Sequence, residues 1–459
     1  MLGSAHHRRH RRFAPAGIAL LSAGLVLSGC AAGGSAPETQ APLDGFDWKN
    51  FKGQELNLLM SEHPYSNAIK AHLDEFEDLT GIDVNLETLS ETDYMVKLLT
   101  ELQSGSGDYD AFMTSQPMNY QYAAAGWVED LRPWIKDKTR TSPDWDFDDF
   151  YPALIDSLRW DKTEYSGAGK GGLWALPVNE EGYALFYRKD ILDAAGIAVP
   201  ETIDELLAAA KQLNGTEYDG HKISGFVSRG DKTYPTLNPF STFLLAHGAK
   251  DIVDGKAAVN SPEAVAATQQ WVDLMQYAPK AASTYTWYEA QQDFIAGNAA
   301  FYIDADHMAP DFEKSAIGGK VGYALPPEGP AGRGSSMWVW SLGMNAASTH
   351  KDAAWLFMQW ASSKETLTSA IANGNMNPTR QSVAQSPEMS DATADWAGYN
   401  ETWQKILSDY ATWAYTPSST WPEIGDAWTI ELQSAVLGQK TAKQAADDAA
   451  DEIDQIISE

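Results

Sequence analysis

The sequence predicts an α/β fold of two large lobes, each a mainly parallel sheet flanked by helices. Three observations carry this. The first ordered stretch alternates strand, helix, strand, helix, strand, a pattern that favours a parallel sheet with covering helices. Strands and helices alternate again after Tyr183. The chain has 459 residues, and about 430 remain after a cleavable leader, more than a single core of ordinary size accommodates.

Glu55–Met60 (ELNLLM) is the first strand. Ile69, Leu73, Phe76 and Leu79 recur at helical spacing across Asn67–Leu79, and Gly81 stops that helix. Ile82–Leu86 alternates as a second strand, Thr92–Gln103 is helical, and Tyr109–Met113 is a third short strand. Tyr183–Tyr187 is a strand and Lys189–Ala195 a short helix. Thr202 with Glu205 three residues later is a capping box for a helix with Ile203, Leu206, Leu207 and Leu213 on its apolar face. Ile223–Val227 is a strand, Pro239–His247 a helix, and Ser261–Tyr277 a long helix entered through Ser261-Pro262. Ala299–Ile303 and Trp338–Met344 are strands, and His350–Ala361 and Thr441–Ile457 are helices. No repeat of fixed period occurs.

The N-terminus has its own logic. His6–Arg12 (HHRRHRR) is basic, the stretch from Phe13 to Leu27 is apolar, and Leu27-Ser28-Gly29-Cys30 contains the chain's single cysteine. This is the layout of a secretory leader over 1–29, shorter than the roughly 20 apolar residues of a spanning helix. The stretch Leu27–Cys30 resembles a bacterial lipobox, in which the leader is cut before the cysteine and the thiol is acylated. Its alternative is a buried free thiol. Lipidation at Cys30 implies a protein anchored to the outer face of the cell membrane. The tandem basic residues near Arg8 and Arg11 leave export unfolded or folded open. Residues 30–45 are small, polar and Pro/Gly-rich, a flexible tether.

Hydrophobic residues make up 44% of the chain, with 17 Trp, 19 Tyr and 15 Phe, enough for a sizeable core. The formal charge is −30, or −34 once Arg8, Arg9, Arg11 and Arg12 leave with the leader. Phosphate backbones need a basic surface, so no nucleic-acid partner is expected; the acidity reads as solubility of an exposed protein. A lone cysteine makes no intrachain disulfide. Ser166–Gly172 (SGAGKGG) is glycine-rich, but Glu164 stands where a Walker A motif needs glycine, and Gly171 follows Lys170. Asp144, Asp146 and Asp148 resemble the start of a calcium loop, yet Asp149 and Ile155 occupy the positions that need Gly and Glu. A solvated acidic loop is the simpler reading. With no HExxH, GxSxG or cysteine pair, no metal, cofactor or catalytic residue is expected.

Several phrases together carry a family resemblance: TGIDVNLE (Thr80–Glu87), YDAFMTSQ with AAGWVEDLRPWI (109–135), LPVNEEGYALFYRKDILDAAGI with PETIDELLAAAKQL (176–213), DFIAGNAAFYIDAD (Asp293–Asp306), SLGMNAAS with its following helix, and NPTRQS (Asn377–Ser382). Their order resembles that of bacterial family 1 extracellular solute-binding proteins, the maltose-binding-protein-like group, over nearly the whole mature chain. The resemblance implies a two-lobed periplasmic-binding-protein fold, a ligand cleft between the lobes, hinge closure and delivery of a solute to a membrane ABC importer. It places lobe one at 46–178 plus 304–342 and lobe two at 182–303 plus 345–459. Crossings fall at 177–182, 303–306 and 341–345.

A sugar offers apolar C–H faces and a rim of hydroxyls, which aromatic plates and planar polar side chains match. Carried over from the family, the candidates are Glu62 and His63 after the first strand and Thr114, Ser115, Gln116 and Asn119 in the turn after the third. Asn179 and Glu181 lie in the first crossing, Arg229 follows a strand, and Thr236 and Asn238 precede a helix. Asp304, Asp306 and His307 follow the strand AAFYI, and Trp338 and Trp340 lie on the last crossing strand, with one of the two expected to face the cleft and the other a core. Asn377 and Arg380 lie in the NPTR loop, and Trp421 and Glu423 in the loop after Thr416. The resemblance departs from the maltose-binding pattern: Thr114-Ser115-Gln116-Pro117 replaces an aromatic and an acid, and His307 takes a later aromatic position. That leaves smaller sugars, polyols and glycosides open.

Second readings accompany these residues. Arg229 is next to Asp231, a surface pair; Arg380 caps a lobe; Asp304 binds hinge amides; Asn377 shapes a turn before Pro378. Trp271, Trp355 and Trp360 sit at helical spacing and belong to cores. The function expected is a lipid-anchored, monomeric carbohydrate receptor with no chemistry of its own and the importer's permease subunits as partners. The alternatives are a secreted glycosidase using Asp304 and Glu181, a peptide receptor, and a surface adhesion lipoprotein.

Overall fold

The computed structural model describes residues 43–459; the leader, Cys30 and most of the tether lie outside the described residues. Strand β1 (Glu55–Ser61) leads into helix α1 (Pro64–Thr80), which His63 caps and Gly81 ends at φ +70°, a left-handed position that glycine adopts freely. Then follow β2 (Asp83–Leu89), α2 (Glu91–Ser104) capped by Ser90, β3 (Ala111–Thr114) and α3 (Gln116–Ala125). The expected turn at Thr114–Pro117 is therefore corrected: Pro117 sits in the first turn of a helix.

The next stretch contains β4 (Leu176–Arg188), α4 (Ile203–Leu213), β5 (Ser224–Val227), α5 (Leu237–Ala246), α6 (Pro262–Met275), α7 (Trp287–Ile295) and β6 (Ala299–Ala305). The Thr202–Glu205 capping box is present. The chain finishes with β7 (Val321–Ala324), β8 (Ser335–Met344), α8 (Lys351–Ala361), α9 (Lys364–Ile371), α10 (Trp421–Val436) and α11 (Ala442–Ser458). Trp421 and Glu423, expected in a loop, form the first turn of α10. Among the described residues, no helix is long and apolar enough to cross a membrane.

Among the described residues the main sheet has nine strands, ordered β2-β1-β3-β8-β4-β6-β5, with β7 paired to β4 and Ala411–Thr412 to β8. Parallel ladders lie at its two ends, β2-β1-β3 and β5-β6. The long strands β4 and β8 run antiparallel to their neighbours in the centre, so the sheet is mixed. Strand β4 is 13 residues long because it serves both ends. Residues 176–182 pair with β8, and residues 183–188 pair with β6 and β7. At the changeover, a Cβ on Gly182 would lie 2.8 Å from Ile406 and 2.9 Å from Asp306, so only glycine fits.

Each half has its own core. Helices on the second half pack around Trp271, which contacts Phe226, Phe240 and Phe243 and is fully buried. Trp355 and Trp360 are core residues of the first half, where Phe76 of α1 meets Phe357 and Trp360. That contact corrects the expected assignment of all of 345–459 to lobe two: α8 and α9 pack on α1, while α10 and α11 pack together and against α6. Residues 304–342 touch both ends of the sheet. Phe312 packs on Phe186, Phe294 and Tyr302, and β7 pairs with the far half of β4. Apolar faces settle with the nearest core, and chain position does not decide which core that is.

Beneath the changeover lies a buried acid pair. Period-two alternation turns Glu181 to one face of β4 and Glu180 to the other. Glu180 accepts from the indole N–H of Trp403 and from Asn377 (3.4 Å), which also donates to Asp306 (2.8 Å). Asp306 further accepts from the Gly182 amide at 3.1 Å. Each carboxyl keeps one buried oxygen without a partner, and no cation is bonded to either among the described residues. Burial pushes Glu180 up to about 7 and raises Asp306 as well, because two uncompensated buried carboxylates cannot both ionise cheaply.

A raised acid pKa binds protons more readily in the folded state, so its contribution to stability falls as pH rises from the unfolded value through about 7. Glu180→Gln keeps the acceptor for Trp403 and removes the charge. The difference in melting temperature between pH 5.5 and pH 8 is expected to shift in the variant toward greater relative stability at pH 8, measured by calorimetry. A difference equal to the wild type's contradicts the account.

Candidate functional site

The two halves enclose a cavity of about 290 Å³ above the β4–β8 ladder. Its floor is built by period two. Trp338 and Trp340 stand two residues apart on β8, so both face the cavity. This corrects the expectation that only one does. The rings lie 5.8 Å apart at 69° and form an angled cradle in place of one flat plate. Across the ladder, Trp338 pairs with Glu181, and the Trp340 indole N–H donates to Glu181 Oε1 at 2.9 Å.

Two histidines flank that carboxylate. His63 Nε2 lies 3.9 Å and His307 Nδ1 3.5 Å from Glu181 Oε1. His63 Nδ1 accepts the Tyr65 amide at 3.1 Å as the N-cap of α1. That bond fixes the tautomer: neutral His63 carries its proton on Nε2, aimed at the cavity. Burial, then the neighbouring His307, lowers the His63 pKa; burial lowers His307 to about 4. Both rings are neutral at pH 7. His63 Nε2, His307 Nδ1 and Asn238 Oδ1 are buried and have no partner in the protein.

The ligating atoms of His63, Glu181 and His307 lie within 4.8 Å of one another. A metal on His63 Nε2 would need the lone pair there, and the Tyr65 amide holds the tautomer in which Nε2 bears hydrogen. The donor set suits hydroxyl groups, each able to accept from one atom and donate to another.

Arg229 lines the cavity, but its charge is spent below it. Its guanidinium grips Asp304 through Nε at 2.9 and 3.1 Å and through a second nitrogen. Asp304 also accepts from Tyr302 (2.9 Å) and the Ala305 amide (2.8 Å). The second reading of Arg229, a surface pair with Asp231, is therefore replaced by a buried pair.

Of the sequence-predicted residues, Glu62, His63, Glu181, Arg229, Asn238, His307, Trp338 and Trp340 line the cavity. The others do not. Thr114 and Asn119 bond each other, and Gln116 accepts the Val339 amide. Ser115 starts α3, Asn179 donates to Asn375, and Thr236 donates to Asp231. Asp304, Asp306 and Asn377 act beneath the floor as described. Arg380 donates to the carbonyls of Ser362 (2.6 Å), Asp146 (2.7 Å) and Trp145 (2.8 Å), pinning loops of the first half. Trp421 packs among Tyr234, Trp413 and Tyr415, and Glu423 lies in the same helical turn outside the lining.

Sequence reasoning missed Glu91, Trp287, Gln291 and Asp311, all of which line the cavity. The Thr286-x-x-Glu289 capping box was a readable signal for α7 and put Trp287 at its first position.

The profile of the family described as "Bacterial extracellular solute-binding protein" matches residues 61–368. An erythritol/L-threitol-binding protein of Mycolicibacterium smegmatis is 34% identical over 458 residues, covering 96% of this chain and 95% of its own. A solute-binding protein of an ABC transporter from Agrobacterium radiobacter, solved with ribitol, superposes at TM-score 0.77 with 27% identity, over 88% of this chain and 99% of its own. A maltose-bound T. maritima protein, 24% identical at TM-score 0.75 over 88% and 99%, shares the two-lobed fold. On these grounds the chain belongs to the bacterial extracellular solute-binding proteins, the receptors of ABC importers.

Proposed function

We propose that the chain captures a short acyclic polyol in this cavity and presents it to the permease subunits of an ABC importer. The observation that carries the reading is the set of buried, unpartnered polar atoms of His63, His307 and Asn238 beside Glu181, above two tryptophans. Neutral hydroxyls match these atoms, and C–H groups match the indoles. At about 290 Å³ the cavity is at the small end of ligand sites, which favours a small solute over an oligosaccharide or peptide. The 69° cradle suits a bent chain better than a flat ring. Relatives named for erythritol, threitol and mannitol support the same class.

The receptor works as a monomer, held at the outer face of the membrane by lipid on Cys30, and leaves its ligand unchanged. Glycoside hydrolysis by Asp304 and Glu181 would need both carboxyls free, one on each side of the bond, whereas Asp304 is consumed by Arg229. Closure of the halves over the ligand presents both to the permease.

In a thermal-shift screen of the fragment from Phe46, tetritols and pentitols are expected to raise the melting temperature, by about 2.7 kcal/mol of stability at a hundredfold excess over Kd. The polyol should be recovered unchanged after overnight incubation. Trp340→Ala should weaken binding by about 1.4 kcal/mol or more, roughly tenfold. A response confined to maltodextrins or peptides, or turnover of a glycoside, overturns the reading.

Binding should also depend on pH. Burial pushes Glu181 up to about 7, with Arg229 and the Trp340 N–H opposing. A hydroxyl donating to the carboxylate favours the ionised form, so binding below that value expels a proton. Affinity is therefore expected to rise between pH 5.5 and about 7 and level off above it. Calorimetry across that range tests this. Glu181→Gln should flatten the profile; an unchanged slope in the variant assigns the dependence elsewhere.

A further inference from the structure

A bond joins two walls of the cavity between its buried floor and its exposed lining. Glu91 is the first residue of α2, after the Ser90 cap, and α2 packs on β1 and β2. Trp287 is the first residue of α7, after the Thr286 cap, and α7 packs on β5 and β6. The two helices therefore belong to opposite halves, and their N-termini meet. The Trp287 indole N–H donates to Glu91 Oε2 at 3.2 Å. Both residues line the cavity and both are half-buried, between the buried His63, Glu181, Trp338 and Trp340 and the exposed Glu62, Asn67, Asp311, Lys314 and Asn373. One turn along α7, Gln291 donates to Asp311 at 3.0 Å and steadies the same rim.

We propose that the Glu91–Trp287 bond is a clasp that sets the maximum ligand length: a solute must fit wholly behind the indole for the halves to close. This rests on the polyol reading above and adds a residue-level rule for size. A carboxylate at the start of a helix is favoured by the helix's exposed amides, so Glu91 presents a fixed acceptor. The indole contributes both the donor and a bulky, rigid wall. A solute extending past the floor displaces the ring and breaks the bond, losing closure. A shorter one leaves the bond intact. Selectivity is thus set at the clasp by exclusion, and affinity at the floor by hydrogen bonding.

The test is calorimetric titration of the fragment from Phe46 with erythritol, ribitol and mannitol, for wild type, Trp287→Ala, Glu91→Ala and Glu91→Gln. Wild type is expected to favour the shorter polyols. Trp287→Ala should move the mannitol-to-erythritol affinity ratio about tenfold or more toward mannitol. Glu91→Ala should move it the same way by a smaller factor, and Glu91→Gln, which keeps the acceptor, should leave it close to wild type. An unmoved ratio in Trp287→Ala and Glu91→Ala, with wild-type erythritol binding, overturns the clasp and leaves the polyol reading standing. A wild-type preference for mannitol over erythritol also overturns the clasp alone. Absence of binding to all three polyols by wild type overturns both.

Discussion

The arrangement of this molecule follows from one strand that must serve both ends of the main sheet. Strand β4 passes from β8 to β6 at Gly182, in a space that admits no side chain. Every hydrogen-bonded pair on either side fixes the direction in which the next residue points. Glu181, Trp338 opposite it and Trp340 two residues on are forced into the space between the halves, and Glu180 is forced beneath the sheet. The cavity floor and the buried acid pair are two faces of one pleat.

The same economy governs the charges. The floor has one carboxylate and two histidines, and burial keeps both rings neutral. The one guanidinium at the floor is neutralised from below by Asp304, which Tyr302 and a backbone amide hold in place. The floor that remains is rich in unspent hydrogen-bonding capacity, with Glu62, Asp311 and Lys314 confined to the exposed part of the lining. Such a surface rewards a neutral, polyhydroxylated ligand, since each buried polar atom left without a partner costs about 1–3 kcal/mol. Closing the halves around the solute supplies those partners, and this couples ligand capture to hinge motion.

Much of the framework was legible along the chain. Apolar spacing, the Gly81 stop and the Thr202–Glu205 box located helices close to their observed bounds. Two errors of reading are instructive. Residues two apart on a strand share a face, so Trp338 and Trp340 had to act together. The turn read at Thr114–Pro117 and the loop read at Trp421 and Glu423 run into first helical turns, where a proline's missing amide costs nothing.

By itself the sequence determined the local elements, their caps, the strongly acidic surface and the family's succession of phrases, because each of these depends on neighbours a few residues away. Tertiary structure alone decided which polar residues line the cavity. Arg380 and Asn377 differ little in type from Arg229 and Asn238, yet the first two bind loops and the acid pair while the second two line the cavity. Glu91 and Trp287 meet across 196 positions of sequence. What a buried polar group does is settled by the partner that packing brings to it, and that partner comes from a distant part of the chain.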